Sequence, residues 1–401
     1  MVKTNKWYID LLHFAIFLVF LFTPIESVGV FGADSSFSVV KLSFLFLIAV
    51  WFLFSRKLDN NIFIKYYIAY FAYFFIGVLW SINIDASFRQ LVLFLLPTVL
   101  MCSIISKNLR TQEDFRLIAV GYLIGCAIMS GFAFSMRDQI LYDAKWGDME
   151  RVTALGQDAN ELAFLICIGI GILLHNLGSE SKKMIKIASW AVVAFWSYVI
   201  LSTGSRTGMV ILASLFFVFF MNNKKSLPYL LPLIFLAFFY LLQFVSEGTL
   251  ERLLETSSSV QSRDLTGRGE IWHWGWTAFL EENIILGVGY DNFSYLLTKH
   301  GHVARASHNT YISNLICAGF LGFFIFLGIL IQIIDLVVKT HKIEKKWNLL
   351  YYVFPLFLAM ITLEISTRRW LFLLCVVMYN YYLLVKNKHN QQEVVSNKSE
   401  N

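Results

Sequence analysis

Ser202-Thr-Gly-Ser-Arg-Thr-Gly208 interrupts an apolar stretch, and Arg206 stands in the middle of the interruption. The 35 residues between Lys186 and Asn222 are otherwise apolar or small. As helix, at 1.5 Å per residue, they reach roughly 52 Å. Two crossings of a hydrocarbon core of about 30 Å need about 60 Å. A helical hairpin here turns before it clears the far surface, so Arg206 is held below the interface. A cation at that depth costs several kcal/mol unless it has a partner or a watery cavity. One reading is an arginine that lines an outward cavity for an anionic ligand. The other is a side chain that snorkels to the surface while the bilayer thins around it.

The rest of the chain agrees with a membrane setting. Its 401 residues are 57% hydrophobic and only 15% charged, and mean hydropathy is +0.63. A single soluble core does not use that much apolar surface. Phe occurs 38 times and Trp 11 times, which suits lipid-facing helices and interfacial belts. Lys3 and Lys6 precede Leu11 to Phe22 without a small-residue cleavage pattern, so this segment reads as a retained first span. The cysteines at 102, 126, 167, 317 and 375 sit in apolar runs without paired spacing, as packing residues do.

Twelve spans are expected, near 9–25, 37–54, 62–80, 89–106, 116–135, 161–177, 186–201, 207–221, 228–245, 308–338, 349–366 and 370–386. The run 308–338 is long for one crossing, so its first part is expected to tilt or to lie outside the core. With both termini cytoplasmic, every inner connection is basic and holds 20 of the 33 Lys and Arg, as the positive-inside rule requires. The two faces also differ in kind. The inner set is three Arg and 17 Lys, whereas the outer set is ten Arg (89, 137, 151, 206, 252, 263, 268, 305, 368, 369) and three Lys. Lysine satisfies an orientation rule, but the planar guanidinium binds phosphate oxygens in pairs. An arginine-rich outer face points to a phosphate-bearing ligand, against the alternative that Arg is simply common in outer loops.

Two outer segments are long. One is 136–160, ending in Arg151 to Asn160; the other is 246–307, between spans nine and ten. In the second, Glu270 to Glu282 carries Trp272, Trp276 and Phe279 at i, i+4, i+7, the pattern of a helix lying at the membrane interface. The polar tail 387–401 is expected to be disordered, and 1–386 to form a single transmembrane domain.

His308-Asn309 follows Arg305 and Ser307 and opens an apolar helix that contains Gly319 and Gly322. A histidine at the outer mouth of a helix can take a proton from a sugar hydroxyl near neutral pH. A lone histidine there can also be a cap or an interfacial residue, but Arg206 and Arg268 on the same side favour chemistry. His273, His300 and His302 share the outer loop without metal-ligand spacing. Gly287-Val-Gly289 lacks the context and third glycine of a dinucleotide loop, and reads as a turn. There is no nucleotide phosphate loop, no nucleophilic serine elbow and no HExxH, so no metal or cofactor is expected. The energy for any group transfer must already lie in the substrate.

These residues together resemble the O-antigen ligase and polymerase superfamily. The likeness rests on Ser205-Arg206-Thr-Gly208, on Gly267-Arg268-Gly-Glu-Ile-Trp272 leading to Gly287-Val-Gly289, and on Ser307-His308-Asn309. Nine residues separate Asn309 from Gly319 and two separate Gly319 from Gly322, similar to the ligases' His-Asn-x9-Gly-x-x-Gly pattern. Arg151 to Asn160, before a span, also resembles a family segment. The resemblance implies an all-α polytopic protein of about twelve transmembrane helices, like class C glycosyltransferases, in a bacterial inner membrane. It implies transfer of a glycan from undecaprenyl diphosphate to an acceptor sugar at the periplasmic face, without metal or nucleotide. Arg206 and Arg268 would hold the diphosphate, and His308 would orient or deprotonate the acceptor hydroxyl. Arg305 and Arg151 join them by charge and position, and Asn160 and Asn309 as motif residues. The acceptor would be lipid A–core for a ligase, or a growing lipid-linked glycan for an O-antigen, capsule or exopolysaccharide polymerase. The rival class is a twelve-span transporter or lipid-linked glycan flippase, which would show repeat symmetry and broken helices in both halves.

Overall fold

The computed structural model describes residues 6–25, 38–54, 57–135, 141–143, 147–149, 154, 157–178, 182–226 and 268–399. Its helices are α1 (Lys6–Phe22), α2 (Val39–Phe54), α3 (Ile62–Gly77), α4 (Ile84–Gln90), α5 (Leu96–Asn108), α6 (Gln112–Ser135), α7 (Ala159–Leu177), α8 (Lys183–Ser202), α9 (Arg206–Asn222), α10 (Arg268–Leu280), α11 (Phe293–Lys299), α12 (Thr310–Glu344), α13 (Leu350–Thr362) and α14 (Arg369–Ser399). A π-helical stretch, Leu91–Leu95, joins α4 to α5. The strands among these residues are β1 (Leu141–Asp143) and β2 (Gly147–Met149), paired antiparallel with Tyr142 opposite Asp148. Among the described residues, seven helical stretches are long and apolar enough to cross a membrane, and four shorter apolar ones accompany them. This is a polytopic α-helical membrane protein. Eleven of the expected spans coincide with these helices; the ninth, 228–245, lies outside the described residues, as does most of the first half of the 246–307 loop.

Contacts gather the chain into two units. The first comprises the described residues of 1–55, 111–256 and 344–358. Its central element is α7, whose residues Ala159 and Glu161 to Gly171 are all buried. Asp158 caps that helix by accepting from the backbone N–H groups of Asn160 and Glu161. α8 and α9 form the hairpin read from the sequence, turning through Thr203, Gly204 and Ser205. At 17 residues, α9 reaches roughly 26 Å, short of the hydrocarbon core. α9 packs along α7 so closely that a Cβ at Gly208 would fall 2.6 Å from that of Ala163.

The second unit comprises the described residues of 56–110, 257–343 and 359–401. Here α12, expected to tilt or to begin outside the core, is broken instead. Gly319 adopts φ 61 and ψ −176, and a break in a helix strands backbone donors and acceptors that lipid cannot satisfy. The turn 284–289 supplies them. Val288 N donates to Ile316 O at 3.2 Å and Gly289 N to Cys317 O at 3.0 Å. In return Phe320 N donates to Ile284 O and Leu321 N to Ile285 O, at 3.0 and 3.1 Å. The glycine-valine-glycine segment is thus a turn, as read, and its task is to dock on the broken helix.

That arrangement leaves no room for a side chain at Gly319. A Cβ there would lie 2.4 Å from both Gly287 N and Ile285 O, in a left-handed conformation that itself costs an L-residue about 1–3 kcal/mol. Gly319→Ala is expected to lower the thermal midpoint in detergent by several degrees and to reduce the monodisperse yield. An unchanged melting curve would show that the break is not needed.

α10 exists where an interfacial helix is expected, but its buried face is Ile271, Gly275, Ala278 and Phe279. Trp276 remains 43% exposed, while Trp272 turns inward and donates from its indole to Ser307 O at 2.8 Å. Tertiary packing has thereby claimed part of the aromatic face. The polar residues 387–399, expected to be disordered, continue α14 as helix to Ser399. They contain no Gly or Pro to stop it, and His389 and Glu393 pair at i, i+4 across 3.4 Å.

Candidate functional site

In the first unit, Arg206 is the first residue of α9, directly after Ser205, whose side chain accepts from Gly208 N at 3.0 Å. Thr203 and Ser205 before it are buried, at 0% and 1% exposure. Arg206 is itself partly exposed, with its Nε buried. The N-terminus of a 17-residue helix adds partial positive charge at the same place. Because Gly208 lies against Ala163, the first turns of α7 and α9 share one end of this unit. Asn160, partly exposed in the first turn of α7, is at that end with Arg206. Arg151 lies outside the described residues.

The second unit holds Arg268, Arg305, His308 and Asn309. Of the described non-glycine residues with positive φ, Asp291 (59°), His308 (48°) and Lys345 (57°), the first two belong here. A left-handed residue other than glycine persists only where its surroundings hold it. For His308 the holders are its neighbours. Ser307 accepts the Trp272 bond on its carbonyl, and its Oγ lies 3.0 Å from both Asn309 O and Glu364 Oε2. Asn309 donates from its side chain to Ile361 O at 3.1 Å and accepts from Ile312 N at 3.0 Å, capping α12. Thr310 donates to Leu363 O at 2.7 Å. Ser307, Asn309 and Thr310 are buried while His308 between them is partly exposed. The backbone is thus pinned on both sides of an imidazole that faces outward.

Arg268 begins α10, one helical turn before Trp272 and on the same face of that helix. Arg305 is three residues before His308, and its carbonyl accepts from Ser294 Oγ at 2.9 Å. An acid that the sequence reading left out is also here. Glu364, in the connection between α13 and α14, reaches Ser307, and its Oε1 accepts from Ser366 N at 3.1 Å and from the Ser366 hydroxyl. Desolvation pushes its carboxyl upward, opposed by the hydroxyls of Ser313, Ser366 and Ser307. Asp291 is pushed up to about 6, chiefly by desolvation, with the charge of Glu364 adding and Arg368 opposing. Glu364 had a signal in the sequence: an ionisable residue inside an expected span, 349–366, is a functional candidate by default.

Residues 190–327 match the family described as O-antigen ligase. This stretch resembles that family. It runs from within α8 into α12 and so contains Arg206, Arg268, Arg305, His308, Asn309, Gly319 and Gly322. Asn160, Arg151 and Glu364 fall outside it. No curated protein matches the chain. The O-antigen ligase family supports activity of the ligase or polymerase type, glycosyltransferase-like, with lipid-linked glycans as substrates in a multi-pass membrane protein.

Proposed function

We propose that the protein transfers a glycan from undecaprenyl diphosphate to an acceptor sugar at the periplasmic face of the bacterial inner membrane, as an O-antigen ligase does with lipid A–core as acceptor. The observation that carries this reading is His308, held at φ 48 between two buried, hydrogen-bonded neighbours. A strained, fully determined backbone under an outward-facing imidazole is what a positioned proton acceptor needs. The acceptor hydroxyl oxygen attacks the anomeric carbon, its proton goes to His308, and the bond from that carbon to the diphosphate oxygen breaks. The electron pair leaves with the lipid diphosphate. Arg206 and Arg268 hold the charge that grows there, and interactions that strengthen as charge develops lower the barrier. Arg305 and Arg151 extend the phosphate contacts, Asn160 lines the substrate, and Asn309, bonded to Ile361 O and Ile312 N, holds the backbone beneath His308. Neither metal nor nucleotide enters, because the donor already carries the transfer energy.

The same residues would serve a polymerase, in which a second lipid-linked glycan replaces lipid A–core. Incubating the purified protein with one donor and either acceptor separates the two. Product on lipid A–core is expected; product only on a lipid-linked glycan would reassign it as a polymerase.

The periplasmic placement has its own test. Ala304 is exposed, and the five native cysteines are buried, so an Ala304→Cys protein offers one reactive thiol. An impermeant maleimide is expected to label it in intact cells with a permeabilised outer membrane. Labelling only after lysis would reverse the orientation.

A further inference from the structure

Ser307 Oγ sits among more acceptors than one hydroxyl can serve. Asn309 O and Glu364 Oε2 are each 3.0 Å away, and Asn309 N donates into it at 3.2 Å. A serine has one hydrogen and two lone pairs. If Glu364 is ionised, that hydrogen serves either Asn309 O or the carboxylate, and the other oxygen pair is left facing without a proton. If Glu364 carries a proton and donates it to Ser307 Oγ, each of these contacts of Ser307 is made at once. Ser307 then donates to Asn309 O and accepts from both Glu364 and Asn309 N.

We propose that Glu364 is a positioning residue for the transfer, its protonated carboxyl locking Ser307 and, through Ser307, the left-handed backbone that presents His308. The inference rests on the glycan-transfer reading above. Burial favours the neutral acid, against the hydroxyls of Ser313, Ser366 and Ser307. The groups facing Glu364 are Tyr70 from α3, Asp291 and Tyr290 from the turn after α10, and Cys317 from α12; Arg368 is placed to act on Asp291. The charges of Glu364 and Asp291 repel, so ionising both costs more than ionising either alone. Desolvation raises Glu364 above the ordinary carboxylate range. The lock is therefore complete at low pH and is lost as pH rises through the titration of Glu364. Glutamine keeps the donor permanently: its amide N–H replaces the acid O–H towards Ser307, and its carbonyl still accepts from Ser366.

The test measures turnover and donor KM from pH 5 to 9 in nanodiscs, with a short-chain lipid diphosphate glycan as donor. Glu364→Ala is expected to lose roughly a hundredfold in kcat, the scale of a misplaced reacting group, with donor KM unchanged. Glu364→Gln is expected to keep most of the activity at low pH and to lose the decline that Glu364 imposes on the wild type at high pH. Ser307→Ala breaks the same link and stands in if Glu364→Ala does not fold. Wild-type kcat in both Glu364→Ala and Ser307→Ala, or a Gln variant that keeps the alkaline decline or is as inactive as the Ala variant, overturns the proposal. His308→Ala is run beside them. If it transfers at the wild-type rate, the functional reading falls; if it is inactive while Glu364→Ala is fully active, only the role of Glu364 falls.

Discussion

The His308→Ala protein is expected to bind the lipid diphosphate donor and to fail at transfer, its turnover falling roughly 10²- to 10⁴-fold, the usual contribution of a positioned acid or base. The argument is local. His308 is the partly exposed residue of a buried Ser307–Thr310 segment, and its φ of 48° is fixed by bonds that do not involve its ring. Removing the imidazole leaves those bonds in place, so the fold and the donor pocket should survive. Arg268→Ala is expected to behave differently, weakening donor binding, since the proposed role of its guanidinium is to hold the diphosphate. Purified variants in nanodiscs, a short-chain donor and a direct binding readout separate the two. Full turnover by His308→Ala would remove it from the reaction. Equal loss of donor binding in both variants would place His308 in the diphosphate site instead.

Arg206→Lys is expected to abolish most activity although the charge is kept. The lysine ammonium is a point charge on a flexible stem; it cannot offer two parallel N–H groups to one phosphate. Arg206 also leaves from an enclosed turn at the start of α9, where Thr203 and Ser205 are buried. A shorter reach or a wider set of rotamers is therefore not corrected by solvent. Glycan display in a deletion strain, with protein level checked by blot, reads the effect. Near wild-type display would make Arg206 a topological or packing charge.

The hairpin around Arg206 was legible because its argument is one of length: 35 apolar residues are too few for two full crossings, and α8 and α9 turn where the polar residues stand. The helices that fall on expected spans were legible from hydropathy, since lipid admits little but helix. What stayed hidden depends on contacts between distant residues. Gly319 is a motif glycine in the sequence, but only the docking of 284–289 shows why a side chain cannot stand there. The inward turn of Trp272 could not be read from its spacing, because Gly275 lets α10 approach Phe293 closely and so selects another face. Glu364 lay within an expected span, but its partners Ser307 and Ser313 are distant in the chain. Its bond to Ser307, 57 residues earlier, gives it its place.

Release of undecaprenyl diphosphate tests the account most directly. The purified protein, reconstituted with a lipid diphosphate glycan and lipid A–core, is expected to release the lipid diphosphate in step with glycosylated product. That release should require the acceptor, proceed after chelation of divalent metals, and vanish in His308→Ala. Movement of the intact lipid-linked glycan across the bilayer, with no bond cleaved and no product formed, would contradict it and make the protein a transporter.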